Sequence, residues 1–155
     1  MKIMNRDLKR FSRLLFFSGA FNIILAFPLI FPVIYERYFN LLWTANQFFN
    51  LGGKQLISPV EGINALLINT AGIDLVLIGV IVLYSGFDPI KRKFIPLVNA
   101  IGRTIFVVII GYYCIVFDIA RLVLVIGGID VLISAGFCYY LIKFKGIDHS
   151  GQFKQ

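Results

Sequence analysis

The chain has 155 residues, 59% hydrophobic and 15% charged, with a formal net charge of +7 and a mean hydropathy of +0.85. So apolar a composition excludes an ordinary water-soluble domain of this size. The basic excess could suggest nucleic acid, but its placement along the chain, described below, argues against that partner.

Four segments reach the roughly 20 apolar residues needed to cross a hydrocarbon core about 30 Å thick: 14–35, 63–84, 94–117 and 122–142. Before the first lies a basic stretch, 1–13, with Ile3, Met4, Leu8 and Phe11 interspersed, which suits a short amphipathic helix on an anionic inner leaflet. The first span is too long for a signal-peptide core and is followed by no small-x-small cleavage site, so it is read as retained. Within it, "FPLIFPVIY" places prolines at 28 and 32, which remove backbone donors and should kink the outer third of the helix.

Next comes "ERYFNLLWTANQFFNLGGKQLISPVEG", in which Tyr35, Tyr38, Trp43, Phe48 and Phe49 sit at or among polar positions. That composition is expected of a helix lying at the outer interface, ended by Gly52 and Gly53. "SPVE" should restart the chain, with Ser58 as cap, Pro59 at the first helical position and Glu61 completing a capping box. Further on, "FDPIKRK" reads as a tight turn, Asp88-Pro89 stopping one helix before three cations. The shorter "FDIAR" turn, with Asp118 and Arg121, makes the last two spans an antiparallel hairpin, and Tyr84, Tyr112, Tyr113, Tyr139 and Tyr140 mark the span ends.

Eleven of the fifteen Lys and Arg fall before the first span (Lys2, Arg6, Lys9, Arg10, Arg13), between the second and third (Lys91, Arg92, Lys93) and after the fourth (Lys143, Lys145, Lys154). Arg37, Lys54 and Arg121 belong to the other side, so the positive-inside rule puts both termini in the cytoplasm. The expected fold is all-α: one integral membrane domain, a four-transmembrane-helix bundle of two helix hairpins arranged as a parallel repeat, with a short extracytoplasmic interfacial helix between helices 1 and 2.

The stretch "INTAGIDLVLIGV", residues 68–80, is nearly all hydrocarbon yet holds Asp74, and the tripeptide returns in "IGGIDVLISAG" with Asp130. A small residue follows each first glycine by seven positions, so Gly72 with Gly79 and Gly128 with Ala135 are the candidate helix-packing seams. "GAFN" echoes the motif, with Asn22 in the aspartate position. Counted at 1.5 Å per residue, Asn22, Asp74, Arg103 and Asp130 all lie roughly 12–18 Å from a membrane face. Thr70 and Asn99 precede Asp74 and Arg103 by one turn, on the same faces. These six residues form a candidate midplane polar layer. It reads as a ligand or proton chamber in which Arg103 neutralises one carboxylate, or as structural glue that fixes helix register; a third arrangement has Arg103 snorkelling and no layer at all.

No catalytic or metal motif accompanies the layer. His149, the single histidine, sits in the polar tail, and Cys114 and Cys138 fall about 20 Å apart in height, too far for a disulfide. No Ser-His-Asp, Cys-His, HExxH or CxxC arrangement is present, so no catalytic residue, cofactor or metal is assigned.

The run "GVIVLYSGFDPIKRKFIPLVNAIGR", residues 79–103, resembles the central signature of uncharacterised small bacterial four-helix membrane proteins, loosely DoxX-like. Gly79, Asp88, Pro89, Gly102 and Arg103 carry the likeness, with Arg where Lys is more usual. The resemblance implies a four-span protein of the bacterial inner (plasma) membrane and brings no established activity. Three functions are compatible with the residues. The first is a non-enzymatic accessory or scaffold subunit, whose partners would be the bilayer and other membrane subunits. The second is a binder or carrier of a small lipophilic or protonatable molecule at the polar layer, and the third a membrane enzyme using Asp74 and Asp130 as acid and base.

Overall fold

The structure, a computed structural model, describes residues 2–146, with side chains from residue 6 onward. The tail holding His149 and Lys154 lies outside the described residues. The described chain forms five α-helices: α1 (Lys2–Ala26), α2 (Pro32–Phe48), α3 (Gly62–Gly86), α4 (Phe94–Val116) and α5 (Leu122–Lys143), with a short 3-10 turn, Phe27–Ile30, between α1 and α2. Residues 6–30, α3, α4 and α5 are each long and apolar enough to cross a membrane, and only 17–28% of each span is buried inside the molecule. The outward faces carry Ile24, Val108, Ile115 and Leu132, all more than two-thirds exposed. Apolar surface exposed on this scale, on four helices of spanning length, is that of a membrane-embedded bundle, and the chain is a multi-pass integral membrane protein.

The two hairpins are α1 with α3 and α4 with α5, joined into a ring by contacts of α3 with α4 and of α5 with α1. Helix α1 is continuous from residue 2, so the expected separate amphipathic segment at 1–13 is corrected. Phe11 and Leu15, one turn apart, are wholly buried and pull this part of the helix into the bundle core with Val82, Ala100, Ile133, Phe137 and Phe144. Phe11 stacks on Tyr140 and meets Phe137 edge-on. Asp7 closes the same end by an ion pair with Lys143 at 2.6 Å. Lys91, Arg92 and Lys93 lie at this end too, where Ser12 Oγ donates to the Gly86 carbonyl across the α1–α3 interface and Arg92 Nη1 donates to the Tyr84 carbonyl. One end of the bundle is therefore basic.

At the other end the first span stops earlier than 35. Phe31, extended at φ −113° as the residue before a proline tends to be, separates the 3-10 turn from α2, so residues 32–35 belong to α2. The break leaves the Leu29 carbonyl without a helical partner, and Asn69 of α3 donates to it at 2.8 Å. Gly72 lets this turn approach: a Cβ on it would stand 2.9 Å from the Leu29 carbonyl carbon. The expected capping box is also corrected, because Glu61 is the residue that precedes α3 and its side chain makes no cap bond; it accepts instead from Asn64 Nδ2.

The α2–α3 connection is tied to the α4–α5 turn. Asn46, 1% exposed, donates to the Gly52 carbonyl and accepts from the Leu122 N–H. The Lys54 N–H donates to the Asp118 carbonyl and the Arg121 N–H to that of Gly52. Gly53, at φ +86°, has no room for a side chain against the Ile119 carbonyl.

Candidate functional site

Arg103, 6% exposed, is the centre of the interior polar group. It sits on α4 near mid-span, and its donors are distributed over three helices. Nε donates to Asn99 Oδ1 one turn earlier on the same helix, at 2.8 Å. Nη1 pairs with the Asp130 carboxylate of α5. Nη2 reaches α1, where it donates to Asn22 Oδ1 at 2.6 Å and to Ser18 Oγ at 2.9 Å, with the Ser18 carbonyl at 3.3 Å. Among the described residues, every fully buried side-chain nitrogen and oxygen has a hydrogen-bond partner. A charge at this depth costs about 2.5–3.5 kcal/mol on insertion scales, and here an opposite charge and three further acceptor groups offset it.

Of the six expected layer residues the structure therefore brings together four: Asn22, Asn99, Arg103 and Asp130. Ser18 joins them and was missed, although it precedes Asn22 by one turn in the same relation as Asn99 to Arg103. Thr70 and Asp74 do not join. Both are exposed, Thr70 Oγ1 donates to the Leu66 carbonyl of its own helix, and Asp74 makes no hydrogen bond or ion pair with any described residue.

The repeated tripeptide explains the split. Glycine and aspartate two positions apart lie about 200° apart around a helix, so only one of them can face the bundle. In α3 the glycine does: Gly72 backs on the 3-10 turn, and Gly79 meets α1, where a Cβ would stand 2.7 Å from Ile23 and 2.9 Å from the Gly19 carbonyl. In α5 the aspartate does, because Arg103 draws Asp130 inward. The expected seam of Gly128 and Ala135 is thereby corrected: both are exposed, and nothing lies within 4 Å of a Cβ on Gly128. The buried small residues of α5 are Gly127 and Ser134, one position earlier and again seven apart. Gly19, the partner of Gly79, was not anticipated.

A groove of about 310 Å³ opens away from this layer, at the basic end, between Leu8, Ser12 and Phe16 of α1 and Gly86, Phe87 and Pro89, with Lys9 and Arg13 along it. No group of three or more His, Cys, Asp or Glu able to hold a metal ion occurs among the described residues. Comparison with protein-family models, with curated proteins and with solved structures finds no match, so the site is read from its own geometry.

Proposed function

We propose that this chain is a non-enzymatic accessory or scaffold subunit of the bacterial inner membrane, of the DoxX-like four-helix kind, with both termini cytoplasmic and α2 lying at the outer interface. The observation that carries the reading is the closed state of the interior polar group. All three nitrogens of Arg103 are engaged within the chain, by Asn99, Asp130, and Asn22 with Ser18, so the one interior cation is already committed to the fold. The paired-aspartate enzyme and the midplane carrier both need Asp74 and Asp130 on one cavity. Their placement on opposite sides of equivalent motifs weighs against both. The gathering of Lys9, Arg10, Arg13, Lys91, Arg92, Lys93 and Lys143 at one end supports the orientation.

The test is purification of the full chain from its native membranes in mild detergent. An accessory subunit elutes in fixed ratio with a second polypeptide, well above the 17.5 kDa of one protomer. A lone protomer retaining a small molecule would reject the reading in favour of the carrier. Cysteine labelling checks orientation: position 91 should be sealed from outside and position 47 open.

A further inference from the structure

We propose that the Asp74 face of α3 is the docking face for a transmembrane helix of another membrane protein, one that carries a lysine or arginine near its own midpoint. The proposal rests on the accessory-subunit reading and gives it a surface and a partner chemistry.

Asp74 is the central residue of the 25-residue α3, about 18 Å along the axis from either end. Its side chain has a single methylene, so it cannot reach a membrane surface as a long cationic side chain does. At mid-span the face is turned away from α1 and its 3-10 turn, which pack on the far side of α3 at Gly72 and Gly79; the buried Val82 and Ser85, about two to three turns on, mark where the bundle closes around α3 toward its basic end. Around Asp74 the exposed face is apolar, with Leu67 on one side and Leu77 and Ile81 on the other, apart from Thr70, whose hydroxyl is spent on the Leu66 carbonyl of its own helix. Among the described residues no cation is placed to answer it: Arg103, the mid-span cation, is enclosed with Asp130, and the others stand toward the ends of the bundle. Lipid tails offer neither charge nor hydrogen bond. A partner of this face must therefore supply the complement from its own mid-span.

Charge also selects between occupants. A symmetric contact with a second copy sets Asp74 against Asp74, two like charges in a low-dielectric setting, and the second copy's Arg103 is as enclosed as the first. A helix with a mid-span cation meets the carboxylate as an ion pair instead, which is how charged side chains within membranes are ordinarily accommodated.

The experiment places a photo-crosslinking residue at Ala71 or Ile78, on the Asp74 face, and at Leu132 of α5 as an exposed control, in the full chain in its native membrane. The expected result is one discrete adduct from Ala71 and Ile78 and none from Leu132. Its crosslinked peptide should be a transmembrane segment with Lys or Arg within a turn of its centre. Asp74→Leu should reduce the adduct about tenfold or more and Asp74→Glu should retain it, while both variants melt as the parent does in detergent. An adduct with a second copy of this chain, a partner segment without a cation, or an adduct indifferent to Asp74→Leu would overturn the proposal. A stoichiometric complex whose crosslinks fall only on other faces would overturn it too while leaving the accessory reading standing, whereas absence of any complex would remove both.

Discussion

Asp130 of α5 is paired with Arg103 of α4 in the interior, whereas Asp74, in the same tripeptide on α3, faces outward with no partner among the described residues. Identical local sequence thus places one carboxylate inside the bundle and one outside it. The ion pair joins α4 to α5, and the other side of the guanidinium joins both to α1 through Asn22 and Ser18. Removing one member of a buried pair leaves an uncompensated charge, at about 3–5 kcal/mol. Asp130→Leu should therefore destabilise the detergent-solubilised protein by that order. The double variant Arg103→Met, Asp130→Leu should lose far less than the sum of the single losses, because no charge is then stranded. Additive losses in thermal denaturation would mean that the two groups do not interact.

Glycine substitutions should separate the seam from its surroundings. Gly19→Ala and Gly79→Ala force a methyl onto the facing helix, with backbone oxygens at 2.6 and 2.9 Å, and each should cost about 1–3 kcal/mol. Gly102→Ala and Gly128→Ala meet nothing within 4 Å and should be neutral or slightly stabilising, since alanine is the better helix former. Melting temperatures of the four variants provide the check.

Asn46 should matter more than its position in the last turn of α2 suggests. Asn46→Ala leaves the Gly52 carbonyl and the Leu122 N–H without their side-chain partner, a loss of about 1–3 kcal/mol where such groups are buried. Limited proteolysis should then cut between residues 49 and 61 much faster than in the parent, with α3 to α5 still protected.

The sequence made the spans legible because a backbone in hydrocarbon must satisfy its own hydrogen bonds, whatever its neighbours. Length and hydropathy therefore sufficed for α3, α4 and α5, and the turns at Asp88-Pro89 and Asp118 followed from their breakers. The azimuth of each helix was not legible. Helices α3 and α5 are apolar nearly all round, so no polar stripe marks the buried face of either. In α5 the inward face is decided by Arg103, a contact across helices that no local pattern encodes. In α3 it is decided by the close approach of α1 and its 3-10 turn to Gly79 and Gly72. The same applies to α1: Pro28 and Pro32 read as a kink, but whether the chain bends or breaks depends on Asn69 and Gly72 receiving the freed Leu29 carbonyl.

The division of labour between the two aspartates can be measured side by side, in thermal denaturation of Asp130→Asn and Asp74→Asn as detergent-solubilised protomers. Asp130→Asn strands the Arg103 charge and should lower the melting temperature by roughly 5 °C or more. Asp74→Asn alters an exposed group that makes no hydrogen bond or ion pair with any described residue and should melt within about 2 °C of the parent. Equal losses in the two variants, or a larger loss for Asp74→Asn, would contradict the assignment of Asp130 to the fold and Asp74 to the outer face.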